Sequence, residues 1–189
     1  MNINRAQAYQ LMCEWVKNDA LRRHMLCVEA AMRAYAKKYG EDEELWGIAG
    51  LLHDFDYEKY PEVDAANKKG HPFEGVRHLQ SLEYPEEIVT AILGHALYSG
   101  VPRESNMARA LFACDELCGF VYACALVRPN KFEGLEAKSV KKKLKNKDFA
   151  AKVSREDIAL GIKELGKPED EHINFVIQAL LSISSQLGL

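Results

Sequence analysis

The sequence predicts an all-α protein: a single helical bundle with additional C-terminal helices. Three observations predict it. Apolar residues recur at three- and four-residue spacing along most of the chain, no convincing stretch alternates as a strand does, and the six prolines fall at breaks or near helix starts. At 189 residues, 48% hydrophobic and 28% charged, the chain has the size and balance of one soluble globular domain spanning 1–189.

The elements follow in order. Helices are expected over 4–17 and 19–39, punctuated by Asn18 and Gly40. A third, 42–54, carries an apolar run into "GLLHDFDYEKYPE". Two more, 71–82 and 85–97, open near Pro72 and Pro85. The sixth, 104–127, contains the longest apolar run. Arg109, Asp115 and Glu116 interrupt it and would be costly in a bilayer, so it reads as a buried helix of a soluble protein. The seventh, 137–150, is amphipathic through Val140, Leu144 and Phe149 and strongly basic on its outer face. Ser154 with Asp157 reads as a capping box for 155–166, and 169–187 is a last amphipathic helix that closes the core or joins a partner.

Composition excludes some classes. A net charge of −3 gives no global reason to bind nucleic acid or an anionic membrane. "MNINRAQAYQ" lacks an apolar core, so no signal peptide is expected and the location is expected to be cytoplasmic. The cysteines number five, with no CxxC, which predicts reduced thiols. Cys114 and Cys118, four apart near an acidic pair, are expected to pack as small core residues.

Polar residues on apolar faces carry the chemistry. His24 shares a stripe with Leu21 and Val28, His95 ends the stripe of Ile88 and Ile92, and Asp115 follows Leu111 in the most apolar helix. A buried carboxylate needs a partner: an Arg or Lys could serve, although Arg109 of the same helix is off its face, and a metal ion shared with histidines of other helices is the other standard answer. A lone inward histidine is ordinarily a hydrogen-bonded core residue. Taken together, His24, His53, Asp54, His71, His95 and Asp115 come from five helices or helix ends. Six N/O ligands suit Fe, Mn, Co, Ni or Zn and are too many for one tetrahedral ion, so two ions is the natural count. Neighbours on a helix diverge by about 100°, so His53 and Asp54 embrace a pair of ions rather than chelate one, with Asp54 bridging.

The ordered set resembles the HD-domain superfamily of metal-dependent phosphohydrolases: "RRHMLCVEAAM", "GLLHDFDYEK", "HPFEGVRHL", "AILGHA" and "ACDELCG". The likeness covers about 20–127, with 128–189 as a C-terminal helical extension, and is closest to the HDIG-like subgroup. Phe55-Asp56 stands where that subgroup has Ile-Gly, a departure expected to touch packing and not the ligands. The resemblance implies one or two divalent ions, the first held by His24, His53, Asp54 and Asp115 and the second completed by His71 and His95. It implies His53 and Asp54 at the catalytic centre and hydrolysis of a phosphoester, of a nucleotide or another small phosphorylated compound, by a metal-bound hydroxide. No membrane or nucleic-acid partner is expected. Tyr57 and Tyr98 are expected to line the pocket, and Arg128 and Lys131 to bind phosphate. Arg23, Lys68, Lys69, Arg103 and the Lys141-Lys142-Lys143 cluster are further candidate cations. His78 is expected at the surface or behind the ligands, and His172 has no assigned role. Two alternatives use the same residues: an HD-fold diiron oxygenase, and a non-catalytic nucleotide-binding regulatory module.

Overall fold

The computed structural model describes residues 3–189 as an all-α fold, with nine α-helices and no strand among the described residues. Apart from the helices, one 3-10 turn covers Leu97–Ser99 and a single bridge pairs Asp64 with Lys69. The helices are α1 Arg5–Trp15, α2 Asp19–Tyr39, α3 Glu43–Leu52, α4 Phe73–Ser81, α5 Glu86–His95, α6 Asn106–Leu126, α7 Ala137–Leu144, α8 Arg155–Leu165 and α9 Glu169–Ser182.

Capping chemistry sets many of the boundaries. Asn4 and Gln7 form a reciprocal capping box on α1. The side chains of Asn18, Asp42, Ser105 and Ser154 each accept from first-turn amides of α2, α3, α6 and α8. Gly40 and Gly166 end α2 and α8 in the left-handed conformation. The expected helix over 137–150 stops at Leu144. Beyond it, Ala150 has a φ of 46°, and the Arg155 guanidinium gathers the carbonyls of Asn146, Phe149, Ala150 and Val153. Those carbonyls bond to a side chain, which replaces the helical ladder there.

α6 is the axis of the molecule, packed by α2, α5, α8 and α9. Its residues are buried around most of the circumference, including Ala110, Leu111, Cys114, Leu117, Cys118 and Val121. Cys114 and Cys118 are therefore core residues, and all five thiols are free. Close approach is built into two glycines. A β-carbon at Gly161 would meet the Ala113 Cα at 2.7 Å, and one at Gly50 would meet the Val28 carbonyl at 2.9 Å. These contacts draw α8 onto α6 and α3 onto α2, the two helices that carry Asp115 and His24. No helix is long and apolar enough to cross a membrane among the described residues.

Candidate metal centre

The site is assembled from one face each of α2, α5 and α6, from the chain leaving α3 and from the turn that enters α4. α3 ends at Leu52, so His53 and Asp54 fall just past the helix, not within it as the expected span 42–54 had them. His53 keeps helical torsions as the C-cap, and its Nδ1 donates to the Gly50 carbonyl at 2.8 Å. Phe55 then buries completely against Trp15, ring centroids 4.8 Å apart, a burial of about 1.5–3 kcal/mol that fixes the exit path. Trp15 also stacks on His78 at 4.7 Å, which places His78 beneath the loop and outside the cavity lining. The loop is tied further by Glu58, whose carboxylate accepts the Lys17 and Asn18 amides at 2.9 Å each.

The six expected side chains come together as two groups of three. In one, His24, His53 and Asp115 each offer an atom within 4.8 Å of the others; in the second, Asp54, His71 and His95 do the same. His24 Nε2 is 3.1 Å from His53 Nε2 and 3.0 Å from Asp115 Oδ1. His71 Nε2 is 3.2 Å from His95 Nε2, and Asp54 Oδ1 is 3.3 Å and 3.4 Å from the two. The other Asp54 oxygen, Oδ2, lies 3.4 Å from His53 Nε2 and 3.7 Å from His24 Nε2. One carboxylate thus faces both groups. Asp115, expected deep in the apolar helix, keeps 17% side-chain exposure where α6 borders the cavity.

Proton bookkeeping tests whether these residues fit metal ions. A carbonyl only accepts, so His53 Nδ1 must carry hydrogen against Gly50, and His95 Nδ1 must carry it against Ile92. His71 Nδ1 donates to the Asp56 carboxylate at 2.7 Å. In the neutral rings, all three Nε2 atoms are then bare acceptors. His71 Nε2, His95 Nε2 and Asp54 Oδ1 form a triangle of lone pairs with no hydrogen among them. A cation is what such a triangle suits, and imidazole with carboxylate is the donor set of divalent transition metals. The residues fit the group.

Electrostatics agree with this. Burial disfavours charge on His53, but Asp54 and Asp115 outweigh it and raise its pKa well above 6.5. Burial also works against His71, and the Asp56 hydrogen bond followed by Asp54 raises it above the usual value. Burial would raise Asp54 and Asp115, yet His53 and the neighbouring rings hold both below the ordinary carboxylate range. Each group favours a positive charge at its centre.

Asp56 belongs to the departure from the subgroup pattern that was expected to touch packing and not the ligands. It is instead 1% exposed, with Oδ1 on His71 and Oδ2 accepting the Gly75 amide at 2.6 Å. A β-carbon at Gly75 would stand 2.7 Å from the Asp56 Cγ, so the glycine makes room for this carboxylate. His172, likewise without an expected role, is fully buried. It takes a hydrogen bond from the Tyr35 hydroxyl at 2.6 Å and donates to the Ala113 carbonyl at 3.0 Å.

A cavity of about 500 Å³ opens onto both groups. Tyr57 and Tyr98 line it, 48% and 45% exposed. The Tyr98 hydroxyl donates to the His71 carbonyl at 3.0 Å, and burial, followed by Asp54 and Asp56, raises its pKa. Glu116 and Asp157 form part of the wall. Burial and then Asp115 push the Glu116 carboxyl up to about 7, against the Ser154 amide that donates to it.

Arg128 and Lys131 do not line this cavity, which corrects the expectation that they bind phosphate there. Arg128 donates to the Lys131 and Glu133 carbonyls, and Lys131 to the Leu126 carbonyl, so both groups fold back on the turn after α6. None of the other candidate cations lines it either. Arg103 lies over the Phe112 ring at 4.0 Å, bound to Glu164 and the Gly94 carbonyl. Lys141 pairs with Asp170 at 2.5 Å, and Lys143 lies over Phe149.

The HD-domain profile matches residues 21–118, about half of the chain, and the chain belongs to that family, a superfamily of metal-dependent phosphohydrolases. The match begins just before His24 and ends just after Asp115, and so contains all six side chains. Neither curated proteins nor solved structures gave a match.

Proposed function

We propose that the protein is a phosphohydrolase that uses two divalent ions to cleave a small phosphomonoester, with His24, His53 and Asp115 holding one ion, Asp54, His71 and His95 the other, and Asp54 shared. One observation carries this reading: three imidazole Nε2 atoms and two carboxylates converge, and with the rings neutral the second group's acceptors have no hydrogen between them. Kinship to the HDIG-like subgroup belongs to the same proposal, supported by the His71 and His95 pair.

When bound, such ions supply a water acidified toward neutrality and positive charge for the phosphoryl oxygens. The chain does the rest. The Gly50 and Ile92 carbonyls and Asp56 fix three ring orientations, so the ligands are preorganised before any ion arrives. Tyr57 packs edge-on to His71 at 5.3 Å and, with Tyr98, shields that side from bulk water. His53 is wholly buried, whereas Asp54, Asp115 and His24 keep 16–20% exposure, so substrate enters from the side of these three.

The test is metal analysis of protein purified without chelator, followed by phosphate release with Mn, Co or Ni over a phosphomonoester panel. Two ions per chain with metal-dependent release is the expected result. A chain that binds no ion with His53 and Asp54 intact overturns the reading. Iron at full occupancy with dioxygen uptake and no phosphate release assigns the site to oxygenase chemistry instead.

A further inference from the structure

The charge of the cavity wall selects among phosphorylated compounds. Resting on the phosphohydrolase reading, we propose that the site takes substrates with a single phosphate and an uncharged or cationic body, and turns away those with a second anionic group.

Among the described residues, no lysine or arginine lines the cavity. Sites for polyphosphates and bisphosphates ordinarily surround the extra phosphate with such side chains. Arg103, which lies over the ring of the lining residue Phe112, spends its donors on Glu164 and the Gly94 carbonyl. The basic helix α7 turns its lysines to another face, where they line a different cavity with Glu169. Among the described residues no lysine or arginine lines the metal-site cavity, so the positive charge at its surface would be that of the ions. Asp54 and Asp115 offset half the formal charge of a divalent pair, and one phosphate dianion offsets the other half. A second anion would find the Asp157 carboxylate on the wall and no lysine or arginine beside it.

The remaining wall states what it accepts. Tyr57, Tyr98, Phe112 and Val153 offer aromatic and apolar surface. Tyr57 and Tyr98 are half exposed, although the Tyr98 hydroxyl is committed to His71. Glu116 and Asp157 are hydrogen-bond acceptors for hydroxyl or ammonium groups. An aromatic face also attracts a cation.

The experiment compares three phosphomonoesters of similar size on the metal-loaded full chain: ethyl phosphate, phosphoethanolamine and phosphoglycolate. The expected kcat/KM for the first two exceeds that for phosphoglycolate by about tenfold or more, the scale of one unscreened like-charge contact. Calorimetry with propylphosphonate, 3-aminopropylphosphonate and 3-phosphonopropionate gives the same ranking in Kd without turnover. Asp157→Lys narrows the gap by raising the phosphoglycolate value, and Asp157→Asn moves it the same way by less. Should Asp157→Lys melt early, the Asn variant and the phosphonate series carry the comparison. Phosphoglycolate turned over as well as ethyl phosphate overturns the charge selection and leaves the phosphohydrolase reading standing. Absence of release from all three esters, with two ions bound, overturns that reading, and the phosphonate ranking then decides the charge selection alone.

Discussion

Asp56 uses both carboxylate oxygens inside the protein, one on the His71 ring and one on the Gly75 amide. Both partners are donors, so an amide at this position satisfies only one of them and turns its own NH₂ toward the other. Asp56→Asn should weaken the Asp54, His71 and His95 site by about 10–100-fold and spare the His24, His53 and Asp115 site. Stepwise metal titration reads this directly; equal weakening of both sites would contradict it. Asp54 and His53 make the complementary pair. His53→Ala should leave one ion on the chain, whereas Asp54→Ala should weaken both sites, since each of its oxygens faces a different group. Metal stoichiometry by mass analysis separates the two, and identical losses would remove the bridging role from Asp54. At this scale the six ligand candidates were legible because each interrupts an apolar pattern or ends one. Asp56 was not, because its partners lie 15 and 19 residues away and depend on how the loop closes.

Helix placement turns that residue chemistry into a site. α6 carries Asp115 and is held from behind by α9, where His172 bonds the Ala113 carbonyl. Burial lowers the His172 pKa below 6.5. Below pH 6.5 the unfolded chain therefore binds a proton that the native chain refuses, and stability contributed by this residue falls as pH drops. Above 6.5 both states are neutral and the contribution is complete. His172→Phe should lose about 1–3 kcal/mol at neutral pH, because the Tyr35 hydroxyl and Ala113 carbonyl lose their partner. It should also flatten the acid slope of the apo protein between pH 6.5 and 5. Denaturant melts at several pH values check this, and an unchanged slope would assign the acid sensitivity to other groups. The helices themselves were legible from apolar periodicity and caps. Two helices end well short of their expected spans, α7 at Leu144 and α9 at Ser182, and the longer overshoot, at α7, came from reading Phe149 as part of a stripe. Arg155, eleven residues beyond the true end of α7, gathers carbonyls of the segment 146–153 into a turn that is not helical. The phosphate-binding cations expected at Arg128 and Lys131 failed for a similar reason. Charge is visible in a sequence, but the backbone carbonyls that absorb it are not.

For the molecule as a whole, the two ligand groups make folding and metal binding one equilibrium. Without ions, the acceptors at each centre are relieved by protonation of His53 and His71, both raised above 6.5. A raised histidine contributes stability that is complete below its unfolded value near 6.5 and lost as pH climbs through the folded value. The apo protein therefore loses this contribution on going alkaline. Metal binding runs the other way, because ions need those same nitrogens bare, so affinity rises with pH. The two trends add. At an ion concentration a hundredfold above Kd, each site stabilises by about 2.7 kcal/mol. For a chain of this length each kcal/mol moves the melting point by about 2–4 °C. The gap in Tm between loaded and chelator-treated protein should reach about 5–10 °C per site near pH 8 and close toward pH 5. Scanning calorimetry across that range, with Mn or Co in excess, measures it. A gap that widens on acidification would mean that the ions bind somewhere other than these histidines, because no site built on bare imidazole nitrogens gains affinity as protons become more abundant.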